Sequence, residues 1–300
     1  MTGFFVRNPD SIEMRVQKFQ PLDTIEVAVL GPSYVRNNFN PEIFDEVSRA
    51  LGFNGRSINL GYENSGEVEI RHDITELYAL KLPALKLVVI DLTLPHIALE
   101  SWNQLHPRTL ATNESQDVSE AVHLYLHKSE HVTVADISRR SLAVLSAFLN
   151  LGVGNAQWSQ WLRNDPIKSG FAPVQEPITF DPEEFRASRN EFAMSPVNPC
   201  QQYAHMRRRL EILEHWQERF GSRGVEVVGL IAPIFFVPLC KVEEPKLAER
   251  FIQLNDPERF PDLFRPEDRR TLTHHLPSGA PLYTKTVARE LAWVWKGRAK

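Results

Sequence analysis

Three hundred residues, 42% of them apolar and seventeen of them Phe, are enough for one large α/β core and exclude a globally disordered chain. A formal charge of -4 excludes the basic footprint of a nucleic-acid-binding domain. No stretch approaches the ~20 apolar residues of a membrane helix, and MTGFFVRNPDSIEMRV lacks the apolar run of a secretory signal, so the expected setting is soluble, and cytoplasmic if this N-terminus is native.

Residues 1–24 read as an irregular lead-in, followed by a buried strand over 25–30 that stops at the turn Gly31-Pro32-Ser33. Asn40 then caps a helix with Pro41 at its first position, a stripe of Ile43, Phe44, Val47 and Leu51, and Gly52 as its stop. A short strand over 56–61 ends in glycine, a helix over 69–82 is stopped by Pro83, and a third strand spans 85–93. The continuous apolar runs fit a parallel sheet covered on both faces. Three strands separated by two helices within seventy residues imply right-handed crossovers. In such sheets ligands bind beyond the carboxyl ends of the strands, which puts Ser33, Gly61 and Asp91 on one rim.

Further along, 134–152 reads as a helix, and residues 153–200 lose periodicity. The expected layout is a single domain over 1–300, with 94–200 a partly helical excursion that could cover part of the site. A helix over 203–220 turns Arg207–Arg209 largely outward, a fourth strand lies within 225–236, and 246–270 reads as loop or short helix. Ser278 is placed to cap a final helix with Pro281 in its first turn.

A serine at a strand-to-turn junction can expose its Oγ and aim adjacent backbone N–H groups at a developing oxyanion, although most such serines simply serve the turn. His275, three residues ahead of Ser278, can supply imidazole as a base over the same rim. His274 competes with it, since adjacent side chains point in different directions and only one of the two can serve.

The segments LGPSYVRNNFNPEIFDE, SINLG, LKLVVIDLT and HHLPSGAPLYTKTVARELA together resemble the SGNH-hydrolase (GDSL-like) superfamily, in particular its branch of bacterial surface-polysaccharide O-acetylation and D-alanylation proteins. The likeness covers about 25–93 and 225–295. It implies a three-layer α/β/α sandwich with a mostly parallel flavodoxin-like sheet and a long middle insertion. It implies Ser33 as nucleophile, His275 as general base, and an oxyanion hole of the Ser33 and Gly61 N–H groups with Asn64 as a candidate asparagine. Where the family carries aspartate three residues before its histidine, Leu272 precedes His275, leaving Asp268 as the nearest acid with Glu267 beside it. Pro32 sits inside the nucleophile turn, and Pro277 replaces an asparagine.

Other features carry less. His123, His127 and His131 recur every four residues near Glu120, a pattern that suits zinc but more often a polar helix stripe, so no metal is expected. Trp158 and Trp161 suit a carbohydrate groove or ordinary packing, and Asp91 and His274 are further candidates for rim or substrate contact. Cys200 and Cys240, forty residues apart, form no metal or redox spacing, and no dinucleotide pattern appears, so no cofactor is expected. The reading is a Ser-His esterase or O-acyltransferase acting on a small-molecule or glycan ester. Its rivals are an inactive protein of the same fold serving in binding or assembly, and an unrelated flavodoxin-like domain binding a small anion.

Overall fold

The computed structural model describes residues 12–19, 21–62, 67–93, 180–235, 237–271 and 274–293, with isolated helical positions between 122 and 141. Contacts divide the chain into two compact units where one domain is expected from sequence. The first comprises Met1–Lys18, Asn64–Lys81 and His96–Pro166. Its described helices are α1 (Ile12–Phe19), which replaces the irregular lead-in, and α4 (Glu67–Leu80). They are joined by the Ile12 N–H donating to Glu76 Oε2 at 2.7 Å and by an Arg15–Asp73 pair at 3.9 Å.

The second unit, Phe19–Glu63, Leu82–Pro95 and Ile167–Lys300, holds the sheet. Its strands are β1 (Ile25–Leu30), β2 (Arg56–Asn59), β3 (Leu87–Asp91), β5 (Glu226–Ile231) and β7 (Phe251–Gln253), in spatial order β2-β1-β3-β5-β7. All four pairings are parallel, which is the flavodoxin-like α/β arrangement. β7 lies inside the stretch read as loop; three residues are too short for a period-2 signal to be legible.

Alternate strand residues explain the three layers. Val27, Val29, Leu87, Val89, Val228 and Leu230 face one side, in a single core with Phe44 of α3 (Pro41–Ala50) and Tyr283, Val287 and Leu291 of α8 (Ala280–Glu290) and the residue after it. Ala28, Leu30, Val88 and Ile90, on the other side, are equally buried. There α6 (Ala204–Gly221) packs so closely on β5 that a Cβ at Gly229 would stand 2.9 Å from Leu213. Burying both faces of a sheet in this way is what makes its strands apolar throughout.

Local signals act as read in α3, where Asn40 Oδ1 accepts from the Glu42 and Ile43 N–H groups at 2.9 and 3.3 Å and Pro41 opens the helix. Gly52 follows it with φ +99°, a left-handed stop that favours glycine. Ser278 does not cap α8; Gly279 holds that position without a side-chain bond.

A second correction concerns the cysteines. Cys200 opens the turn before α6, and Cys240 begins β6 (Cys240–Lys241), which pairs with β4 (Asn198–Pro199); the two form a disulfide. Gln253 of β7 brackets Cys240, accepting its N–H at 3.2 Å and donating to its carbonyl at 2.7 Å. Two adjacent two-residue strands bring together positions forty residues apart, a pairing that spacing alone cannot show. Closing a loop of that length removes unfolded-state entropy, so Cys200→Ala or reduction should lower stability by roughly 2–4 kcal/mol in urea unfolding. Coincident curves with and without reductant, for protein whose thiols are shown to be oxidised at the start, would be the contrary result.

Candidate functional site

Strand order reverses between β1 and β3, and their carboxyl ends face one crevice. β1 runs through Gly31 and Pro32 into α2 (Ser33–Asn38). Gly31 is required by close approach: a Cβ there would meet Val35 Cγ2 at 2.4 Å and Asp91 Cβ at 2.6 Å. Pro32 fits because it is the N-cap, with φ -76°, and its carbonyl accepts from the Val35 and Arg36 N–H groups. The turn therefore costs no helical bond and leaves Ser33 at the first helical position, partly exposed.

The opposing wall is a tight hairpin. Arg269 and His275 form an antiparallel bridge, the Leu276 N–H donates to Asp268 O at 2.8 Å, and the Arg270 N–H donates to His274 O at 2.9 Å. Successive side chains on its returning arm point to opposite sides. His274 Nε2 thus stands 2.8 Å from Ser33 Oγ, while His275 turns inward and is 1% exposed. This corrects the assignment of His275 as base: its backbone N–H is held by Asn38 Oδ1 at 3.2 Å, and its ring does not reach Ser33.

The change of histidine also resolves the missing acid. Three residues before His274 is Thr271, whose Oγ1 lies 3.1 Å from His274 Nδ1 and accepts the His274 backbone N–H at 3.0 Å. Asp268 is not part of the array: its carbonyl closes the hairpin, and its carboxylate makes no hydrogen bond or ion pair with either histidine. The sequence signal that could have identified His274 was an oxygen-bearing side chain at the three-residue spacing.

A hydroxyl differs from a carboxylate in two ways. It accepts Nδ1–H but can equally donate to a bare Nδ1, so both imidazole tautomers are served. It also carries no charge to stabilise an imidazolium. Burial, then Arg270 and Arg269, bring His274 down from its ordinary 6.5 to about 4. At neutral pH the ring is uncharged and, as the Nδ1–H tautomer, can accept the Ser33 proton. Tyr34, 5% exposed, packs on this imidazole with ring centroids 5.3 Å apart.

The remaining candidates separate. The Gly61 N–H donates to Asn59 Oδ1 at 2.8 Å, so it is committed elsewhere and does not serve as the expected oxyanion donor. Asn59, 0% exposed, is a clamp: its Nδ2 donates to Val35 O at 2.8 Å and Phe39 O at 2.7 Å, satisfying carbonyls at the end of α2. The Ser33 N–H heads α2 without an acceptor and is the one expected donor left for an oxyanion. Asp91 is fully buried and accepts the Thr93 N–H at 2.7 Å; burial pushes its carboxyl up to about 7, and it does not line an open surface. Arg209, read with its neighbours as solvated, is buried and donates to Leu92 O at 2.6 Å and Thr93 O at 2.9 Å, securing the rim after β3. Asn64, Leu272, Trp158, Trp161 and the His123–His131 stripe with Glu120 lie outside the described residues. Among the described residues no group of three or more metal-ligating side chains forms.

Compared with known proteins, the chain matches no family model, no curated protein and no solved structure.

Asn59→Ala removes the side-chain donor to Val35 O and Phe39 O and the acceptor of the Gly61 N–H, and should cost about 2–5 kcal/mol in urea unfolding. His274 generates a pH signature of known sign. Its pKa is about 4 in the fold against 6.5 for an ordinary imidazole, so the unfolded chain protonates first. The stability this group contributes above pH 6.5 is lost as pH falls toward about 4. Relative to the parent, His274→Gln should therefore gain stability steadily as pH drops through that window; a difference independent of pH would contradict a depressed imidazole.

Proposed function

We propose that this chain is a serine-dependent ester hydrolase or O-acyltransferase built on a Ser33–His274–Thr271 array. The observation that carries the reading is the 2.8 Å contact between Ser33 Oγ and His274 Nε2, with Thr271 Oγ1 on the other ring nitrogen. A nucleophile within hydrogen-bond reach of a base, and the base held by a third group, is the geometry of activated nucleophiles. The Thr271-x-x-His274 spacing also restores the spacing of the resembled family, with a hydroxyl in place of its carboxylate.

In the reaction, Ser33 Oγ attacks the acyl carbonyl carbon while its proton passes to His274 Nε2, and the Ser33 N–H donates to the oxyanion. The intermediate collapses with cleavage of the ester C–O bond. The leaving alkoxide takes the proton from the imidazolium, and the acyl group remains on Ser33. Water or a sugar hydroxyl then attacks, giving up its proton to His274, and the Ser33 ester bond breaks as Oγ takes that proton from the imidazolium, releasing the acid or a new ester and restoring the free serine. An acylated glycan as substrate rests on the family resemblance. The Cys200–Cys240 disulfide favours an oxidising compartment over the cytoplasm, which suits a surface glycan.

A non-catalytic binding protein of the same fold is the second reading. It is favoured by the committed Gly61 N–H and by the neutral Thr271 beside an imidazole that resists protonation.

The two are separated by acetyl-ester turnover and by covalent labelling with a serine-directed phosphonate. Ser33→Ala should abolish labelling, and His274→Ala should slow it roughly a thousandfold. Thr271→Asp, by selecting the Nδ1–H tautomer and stabilising the imidazolium, should raise turnover by about tenfold or more. Labelling that persists in Ser33→Ala removes Ser33 as nucleophile. A parent protein inert to phosphonate, with Thr271→Asp equally inert, establishes the binding reading.

A further inference from the structure

The backbone of His274 is held on every side. Its N–H donates to Thr271 Oγ1 at 3.0 Å. The peptide unit that joins it to His275 is planar, with C=O and N–H pointing in opposite directions. That C=O accepts the Arg270 N–H at 2.9 Å, and that N–H donates to Asn38 Oδ1 at 3.2 Å. Of these three bonds, the one to Asn38 leaves the hairpin. It crosses to the last residue of α2, the helix that begins with Ser33.

The Asn38 end of this bond is itself anchored. The Thr284 hydroxyl of α8 lies 2.9 Å from Asn38 O and accepts the Asn40 N–H at 3.0 Å. Beside it, Asn59 of β2 holds the Val35 and Phe39 carbonyls. A helix of six residues has little stability of its own, so such contacts set where α2 and its serine stand.

The Ser33–His274 contact joins the same two elements, but through side chains that can rotate and a proton that the chemistry moves. The Asn38 bond joins them through main chain, one peptide from the base. It is sealed from solvent, with Asn38 0% and His275 1% exposed. Burying an amide is unfavourable unless its polar atoms are used, and here the oxygen is used at the junction of the two elements.

We propose that Asn38 is a positioning residue of the Ser33–His274–Thr271 array, its side-chain oxygen fixing the distance and angle at which the hairpin presents His274 to Ser33. The junction rests on geometry alone; its effect on rate rests on the acyl-transfer reading.

Two variants separate the oxygen from the bulk of the side chain. Asn38→Leu keeps the volume and removes the acceptor, whereas Asn38→Asp keeps an oxygen in place. In Asn38→Leu, ester turnover and phosphonate labelling should fall by about a hundredfold, in kcat with KM unchanged, since a displacement on the order of 1 Å costs that much. Asn38→Asp should recover most of the loss. A second readout, NMR of the full chain, needs no substrate. In Asn38→Leu the His275 amide should exchange with solvent about tenfold faster or more. The His274 ring resonances should move toward their positions in Ser33→Ala, where the imidazole has lost its hydroxyl partner. These NMR changes in a parent inert to phosphonate support the junction while removing the acyl-transfer reading, so the two failures are told apart. A folded Asn38→Leu with parental His275 exchange and parental His274 resonances would overturn the proposal, as would a folded Asn38→Asp that loses as much as Asn38→Leu. Should Asn38→Leu not fold, Asn38→Ser, whose hydroxyl stops one bond short of the amide oxygen, should show the same changes to a smaller degree; parental behaviour there overturns the proposal equally.

Discussion

Arg269 is fully buried, with its guanidinium 5.2 Å from the ring centres of both Phe185 and Phe264. Its Nη2 donates to Pro233 O at 2.6 Å and to Leu263 O at 2.8 Å, tying the loop after β5 to the 3-10 turn Pro261–Phe264. An isolated buried cation is costly, and carbonyl acceptors together with two aromatic faces, each worth about 1–2 kcal/mol when desolvated, offset that cost. Burial lowers its pKa to about 9, which still leaves it charged at neutral pH. Because Arg269 also starts the hairpin that ends at Leu276, anchoring this one side chain sets where the returning arm lies. The reach of His274 toward Ser33 depends on it.

The same cation shapes the chemistry of what it positions. Burial first, and then positive charge from Arg269 and Arg270, disfavour an imidazolium at His274; His275 is held well below its usual range by burial and Arg269. A carboxylate beside His274 would oppose that field, and Thr271 does not. The array is thus well arranged for accepting a proton hydrogen bond and poorly arranged for holding the proton. On the proposed acyl-transfer reading, the barrier lies in charge stabilisation and not in the placement of Ser33.

Much of the fold was legible because its signals are local. The apolar runs at 25–30 and 85–93, the Asn40-Pro41 helix start and the Gly52 stop each depend on a few neighbouring residues, and each stands where it was read. The failures share a cause. β7 is too short to carry a period, α1 has only two turns in which its Ile12, Val16 and Phe19 can mark a stripe, and the disulfide joins segments that only the β4–β6 pairing brings together. Arg209 belongs to a run of three arginines whose sequence says nothing of which one turns toward the carbonyls of Leu92 and Thr93.

The site divides along the same line. Sequence determined that a serine would stand at the end of a buried strand, on the rim where a parallel sheet opens, because apolar runs and a Gly-Pro-Ser turn are properties of adjacent residues. It also determined that one of two consecutive histidines would face away, because neighbouring side chains alternate. Which of them reached Ser33 was decided by the hairpin register between Arg269 and His275, and that register follows from a guanidinium buried among residues as distant as Phe185 and Pro233. Long-range packing of that kind leaves no periodic trace in the chain, so the histidine that completes the site belongs to the tertiary structure alone.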